Sequence, residues 1–291
     1  MDVLVIGADN PVGVVLQGAF VQWGRHQSLP LTTAASRWRS ERQAKKAARK
    51  DRPDAVVDLR LAWQLAAGEP IQPIDLERSY WLAKACERSD IHYLFLSTDA
   101  VFESNAGRHF RETDTPDAAA EPGATMASLE AQITQGAPNA LILRTGPLFA
   151  SFDANLLTRV MDRMSAETTA TFDDRLTFSP VATVDAARVM AAMLDQLAAG
   201  AHAGGTFHYC AGDRATEYGF AEAALAAASQ YMDCSDVSIE PSNSEPSERG
   251  DIRVLDCSRL RDSFAIKQVP WRGFINPVVK QFFQTRSEQQ S

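Results

Sequence analysis

Five short apolar runs, each separated from the next by a stretch of helical periodicity, occupy the first half of the chain and leave few folds open. "VLVIG" leads into "PVGVVLQGAFVQWG", "LPLTT" into the charged "SRWRSERQAKKAARKD", "PDAVVDL" into "IDLERSYWLAKACERS", and "HYLFLST" into "GATMASLEAQITQ"; "NALILRT" closes the series. Strands alternating with helices of this length form right-handed βαβ units and a mostly parallel sheet. The runs are nearly continuous in Val, Leu and Ile, as expected of strands covered on both faces. The pattern changes after Thr145. "ANLLTRVMDRM" and "VDAARVMAAMLDQLA" read as amphipathic helices, "TFHYCAG" as a strand and "TEYGFAEAALAAASQYM" as a further helix. "SNSEPSERGD" reads as a polar loop and the terminal "QQS" as a frayed end. The expected fold is α/β, a Rossmann-type doubly wound parallel sheet with a smaller C-terminal substrate lobe. A dinucleotide-binding-like domain is expected over residues 1–145 and an interleaved lobe over 146–291, with part of that chain returning to the sheet.

Charge narrows the partners. The formal net charge is −8 and no Lys/Arg-rich block stands alone, which argues against nucleic acid and anionic membrane. No apolar run is long enough to span a bilayer, and "MDVLVIGADN" reads as a first strand and not as a signal peptide. Cys86, Cys210, Cys234 and Cys257 are scattered, with no C-x-x-C pair, and the five histidines show no ligand spacing. Reduced thiols, a cytoplasmic location and no metal site are expected.

The first strand runs into "GADNPVG". A dinucleotide-binding turn uses glycine for the tight turn, for close approach of backbone to pyrophosphate and for helix–strand packing. Short-chain dehydrogenases of the extended and atypical type have G-x-x-G-x-x-G here. Gly7 and Gly13 match its outer positions, Val12 precedes the last glycine, and Asn10 replaces the middle one. A side chain at Asn10 intrudes where pyrophosphate would sit, although Asn tolerates left-handed backbone. The end of the second strand, "LTTAASRWR", lacks an acidic residue for a ribose hydroxyl. Arg37 or Arg39 would suit a 2′-phosphate, favouring NADP over NAD; solvated arginines on a surface helix are the alternative.

"FLSTDAVFE", "FRETD", "ILRTG", "FSPVATVDAARVM", "GTFHYCAG" and "VLDCSRLRDSFAI" occur in this order. Together they resemble the dTDP-4-dehydrorhamnose reductase family, atypical short-chain dehydrogenases that reduce a 4-keto nucleotide sugar with a nicotinamide cofactor. The methionine adenosyltransferase regulatory (beta) subunit is similar to the same family, which can therefore supply non-enzyme roles. By this resemblance Thr98 would hold the substrate carbonyl through an oxyanion-type hydrogen bond, with Asp99 beside it; Ser, Thr and Asp at a strand end also cap turns. The family then places a Tyr-Gly-x-x-Lys at the start of a helix, the Tyr as proton donor and the Lys one turn on. "PGATMASLE" puts Pro122 at the tyrosine and Met126 at the lysine, with Gly123 and Glu130 holding register. Tyr80 and Lys84 have the spacing but precede the Ser-Thr-Asp strand. After the third strand the family has Asn and small alanines, where this chain has Asp58, Leu59, Arg60 and Leu61; Asp58 joins Gly7, Asn10, Val12, Gly13 and Arg37 as a candidate cofactor contact, and the bulky side chains are expected to crowd the adenosine end.

The resemblance with these departures implies a degenerate, non-catalytic member of the family. It would bind a nucleotide or nucleotide sugar, a protein partner, or both, with NADP binding weak or lost and a homodimer allowed. Two other readings stay open: an NADP-dependent 4-keto nucleotide-sugar reductase with another proton donor, water or Asp99, and lyase or epimerase chemistry in the same cleft.

Overall fold

The computed structural model describes residues 1–105, 107–242 and 251–289; the interior of the "SNSEPSERGD" segment and the last two residues lie outside them. The sheet is built from β1 (Asp2–Ile6), β2 (Gln27–Leu31), β3 (Ala55–Asp58), β4 (His92–Thr98), β5 (Leu141–Thr145) and β9 (Gly205–Tyr209). Its order is β2-β1-β3-β4-β5-β9, and every pairing is parallel. The chain leaves β1 toward β2 and returns on the other side as β3. The strand order thus reverses between β1 and β3, and a crevice opens at the carboxyl ends of the strands there, the usual ligand position of open α/β sheets.

The connecting helices are α1 (Pro11–Trp23), α2 (Glu41–Arg49), α4 (Pro73–Glu87), α5 (Gly123–Gly136) and α7 (Thr183–Ala198). α1 has Pro at its first position and ends at Gly24 in the left-handed region, φ 61°. The charged segment after β2 is helical only from Glu41. Ala34–Ser36 form a single 3₁₀ turn, and Trp38 turns inward to be buried between this turn and its neighbours. The sequence reading also passed over α3 (Arg60–Ala66), a two-turn helix directly after β3. Its Leu61 and Trp63 are buried, and Gly68, at φ 74°, follows its end.

Two apolar clusters hold the molecule together. The larger lies on both faces of the sheet and includes α7, whose Val189, Met190, Met193 and Leu194 are fully buried. The smaller joins β6 (Leu148–Phe149), α6 (Leu156–Ala166), β7 (Thr169–Phe172), α8 (Glu217–Ala228) and α10 (Arg272–Gln289). Phe149, Phe220 and Trp271 form its centre, with ring centroids 5.1–6.5 Å apart. β7 pairs with β10 (Ser238–Pro241), β6 pairs with β8 (Val181–Ala182), and α9 (Ser258–Phe264) packs on β9. The smaller cluster stands over the carboxyl ends of β4 and β5, so a cleft lies between the two.

Candidate functional site

The β1–α1 turn is the first wall of the cleft. Gly7 adopts φ 84°, which a side chain would strain. A Cβ on Gly13 would lie 2.2 Å from the Gly7 carbonyl oxygen, so Gly13 is required for helix–strand packing. Asn10 is the N-cap of α1 and is buried. Its Oδ1 accepts from the Gly13 N–H at 2.8 Å, and its Nδ2 donates to the Leu59 carbonyl at 3.2 Å. That Nδ2 lies 2.8 Å from where a Gly7 Cβ would stand. The amide therefore covers the turn and takes a backbone donor that, at such a helix start, would otherwise face an anion.

A cavity of about 400 Å³ opens beside this turn, between the end of β2, α3 and the start of α4. Arg37 is exposed and lies on its rim. Asp9 and Asp153 also line it. Burial, reinforced by the Asp9 charge, pushes the Asp153 carboxyl above the usual range. Arg60 and Arg78 face the cavity but are engaged, Arg60 with Asp58 at 2.7 Å and Arg78 with Asp75 at 2.6 Å. At this turn the Gly13 N–H is taken and an amide lies over Gly7, and Asp9, Glu69, Asp75 and Asp153 line the space together with Arg37.

Two residues expected at a cofactor turn inward instead. Val12 is fully buried in the sheet core. Asp58 is fully buried as well, and its carboxylate accepts from Arg60, from the Ser79 hydroxyl at 2.8 Å and from the Tyr93 hydroxyl at 3.1 Å. The crowding expected of residues 59–61 comes only from Arg60 and Leu61; Leu59 packs into the core because α3 rotates it away from the cleft.

A second cavity, of about 300 Å³, lies at the carboxyl ends of β4 and β5. Here the structure brings Thr98 and Asp99 together, 7% and 2% exposed. The Thr98 Oγ1 accepts from the Ala100 N–H at 3.1 Å and donates to Asp99 Oδ1 at 3.4 Å, so the turn-capping role is realised. Arg253 Nε stands 3.4 Å from Asp99 Oδ2. Burial raises the Asp99 carboxyl above its ordinary range, against the opposing pull of Arg253. The facing wall carries Arg159, Asp173 and Glu217. Arg253, Arg159 and Glu217 were not singled out from sequence. Arg253 sits one residue before "VLDCSRLRDSFAI", and Arg159 reads only as the polar face of an amphipathic helix.

α3 is the partition. Arg60, Leu61, Trp63 and Gln64 line the first cavity, whereas Ala62, Leu65 and Ala66 line the second, and the two share no lining residue. Arg159 Nη1 donates to the Ala66 carbonyl at 2.6 Å and fastens the helix to α6.

α5 supplies neither cavity with an acid or base. Pro122 is exposed at its N-cap and Met126 is 0% exposed within the core. A Cβ on Gly123 would meet the Ala100 carbonyl oxygen at 2.0 Å, so α5 is seated hard against the turn after β4. Glu130 is buried and pairs with Arg144 at 2.6 Å, accepts from the Ser97 hydroxyl, and so anchors the helix to the sheet. Tyr80 and Lys84 lie elsewhere. Lys84 Nζ stands 5.1 Å from the Tyr80 ring centroid and 3.4 Å from Glu41, an arrangement for packing α4 against α5 and α2. Among the described residues no His, Cys, Asp or Glu group could hold a metal ion, and no helix is long and apolar enough to cross a membrane.

The parallel sheet, the glycine turn and the cleft under a smaller lobe define a Rossmann-type, short-chain-dehydrogenase-like chain. The sequence matches the model of the RmlD substrate binding domain over residues 1–284, and the chain belongs to that family. Among solved structures it is similar to a dTDP-4-dehydrorhamnose reductase from Clostridium acetobutylicum, at 20% identity and a TM-score of 0.78, over 96% of this chain and 99% of that one. The dTDP-4-dehydrorhamnose reductase of Bacillus anthracis, in complex with NADP, matches at 16% identity and 0.78 over the same shares. The Bordetella bronchiseptica enzyme WbmH, in complex with NAD+, matches at 14% identity and 0.73 over 98% of both chains. At these identities the likeness establishes the fold. Comparison with curated proteins finds no match.

Proposed function

We propose that this chain is a degenerate member of its family: it binds a nucleotide or nucleotide sugar, a protein partner, or both, and does not reduce a 4-keto sugar. The observation that carries the reading is Met126, a neutral side chain fully buried where the family resemblance calls for a lysine ammonium, one turn beyond a proline that has no ionisable proton. Loss of positioned acid–base help alone removes about 10²- to 10⁴-fold in rate. The β1–α1 turn supports the same reading, because Asn10 occupies its donor, and α3 divides the cleft that an extended dinucleotide would have to cross. What persists is the second cavity, with Thr98 and Asp99 for ligand hydroxyls and Leu148, Leu156 and Phe178 for an apolar ring face.

Fluorescence titration with NADPH, together with thermal shifts on dTDP- and UDP-sugars, tests this. Expected are weak or no NADPH binding, well outside the sub-micromolar range, and stabilisation by a nucleotide sugar, about 2.7 kcal/mol at 100 times the dissociation constant. Sub-micromolar NADPH binding, or NADPH oxidation at ordinary enzyme rates on a keto nucleotide sugar, would refute it.

Asp99 favours a second reading. A buried carboxyl held above its usual range beside Thr98 is suited to donate a proton. An NADP-dependent reductase with this donor, or a lyase or epimerase in the same cavity, would lose its activity in Asp99→Asn.

A further inference from the structure

Two of the four cysteines, far apart in sequence, meet in the fold. Cys210 directly follows β9 and Cys257 directly precedes α9; they are 1% and 6% exposed, and their sulfurs lie 3.7 Å apart. The Cys210 N–H donates to Cys257 Sγ at 3.3 Å. Both thiols direct their hydrogens toward the Leu255 carbonyl, at 3.4 and 3.8 Å. Gln268 Nε2 donates to the Cys210 carbonyl at 2.9 Å and approaches Cys210 Sγ at 3.5 Å, closing the group from the other side. Packing alone does not require two sulfurs in contact. A disulfide needs about 2.05 Å between them, so the approach still to be made is under ~2 Å, within reach of side-chain rotation.

The pair has a place near the second cavity. Cys210 Cβ stands 3.5 Å from where a Gly146 Cβ would be, and Gly146 lines that cavity. Cys257 ends the segment that carries Arg253, the cation facing Asp99. Single bridges of Ile252 to Asn105 and Thr177, and of Leu255 to Phe110, join this segment to the body.

We propose that Cys210 and Cys257 are an oxidative modification site: a dithiol that closes to a disulfide and pins the Arg253 segment against the sheet. The chemistry is a two-electron exchange. One thiolate attacks a small oxidant, a diazene or a low-molecular-weight disulfide. The second thiolate then displaces the adduct, the S–S bond forms, and the two electrons and two protons leave with the reduced oxidant. Because both sulfurs are buried, the reaction proceeds through local opening of the segment and is slower than modification of half-buried Cys234.

The test treats the folded full-length protein with diamide, followed by alkylation and peptide mapping. Expected are a mass loss of two hydrogens, a Cys210–Cys257 cross-link, retention of free Cys86, and full reversal by dithiothreitol. The closed loop joins residues 47 apart in sequence, so the oxidised protein should melt higher, by on the order of 10 °C. Amide exchange across 251–257 should slow on oxidation. Cys210→Ala and Cys257→Ala should each abolish the melting shift. If either variant fails to fold, the cross-link map of the unmodified protein still decides. Free Cys210 and Cys257 after diamide, a cross-link between other cysteines, or unchanged exchange across 251–257 would overturn the proposal. Each outcome is independent of NADPH or sugar binding, so it stands or falls apart from the functional reading.

Discussion

Replacing Arg60 by Met isolates the buried charge that closes the first cavity. The guanidinium donates twice to Asp58, Nε to Oδ1 at 2.9 Å and Nη2 to Oδ2 at 2.7 Å, and it lies 5.4 Å from the Trp38 ring centroid. Met keeps much of the volume but leaves the Asp58 carboxylate without a counter-charge, with the Ser79 and Tyr93 hydroxyls and the long backbone N–H contact of residue 60 as its donors. Breaking a buried pair in this way costs about 3–5 kcal/mol, because the remaining charge is uncompensated. At roughly 2–4 °C per kcal/mol, the melting temperature should fall by roughly 6–20 °C. The pH dependence should also reverse. In the parent, burial pushes the Asp58 carboxyl up but the Arg60 charge and hydrogen bonds outweigh it, so the folded value lies below the unfolded one. That contribution is present above the unfolded value and is lost as pH falls through the folded value. In the variant burial outweighs the hydrogen bonds that remain, the folded value lies above the unfolded one, and acid relieves the penalty. Denaturant titration of the parent, Arg60→Met and Asp58→Asn/Arg60→Met at several pH values reads both effects. The double variant should recover most of the loss. A single variant within ~1 kcal/mol of the parent, or a double variant no better than the single, would refute the reasoning.

Burial, with the neighbouring Arg144 charge, lowers His208 to about 3. Its neutral form therefore stabilises the fold above about 6.5 and loses that contribution as pH falls toward 3; from pH 7 to pH 5 the cost is about 2 kcal/mol, and a pH series of denaturant curves should show this slope flattened in His208→Gln. Asn10→Gly should cost about 1 kcal/mol in stability, since Gly is a tolerable N-cap but the bond to the Leu59 carbonyl is lost. By freeing the Gly13 N–H it should tighten NADPH binding about tenfold, equivalent to ~1.4 kcal/mol, in a fluorescence titration; an unchanged affinity would show that Asn10 is not the obstacle. Pro122→Tyr with Met126→Lys should fold less stably, because the new ammonium enters a fully buried position. It should remain nearly inactive with NADPH and a 4-keto nucleotide sugar unless Asn10→Gly is added. Ordinary turnover by the double variant alone would mean that the tyrosine and lysine were the only lesion.

Period and composition reveal what is repeated along a chain, and the sheet was legible for that reason. A parallel strand covered on both faces must be continuously apolar, and "VLVIG", "HYLFLST" and "NALILRT" are. The glycine turn was legible too, since φ 84° at Gly7 and the contact between Gly13 and the Gly7 carbonyl are requirements that only glycine meets. What stayed hidden was pairing between distant residues. Asp58 looked like a cofactor ligand because nothing in "VVDLRLAW" says that Arg60, two residues on, will turn back and neutralise it, nor that Ser79 and Tyr93 will complete its shell. The start of α3 at Arg60 leaves Leu59, its N-cap, in the core and makes the helix a wall, so an expectation about bulk became one about partition. Asp99 illustrates the converse. Its position at a strand end was readable, but its chemistry depends on Arg253, 154 residues away across the second cavity. A carboxyl at that strand end would remain an ordinary acid in water; here burial pushes it above its usual range against the opposing pull of one guanidinium. Under the proposed function, ligand selection rests on the charged side chains that line the second cavity, and substitutions at Arg253 or Arg159 should change ligand preference in thermal-shift panels more than substitutions at Gly7 or Arg37; the opposite ranking would return the site to the first cavity.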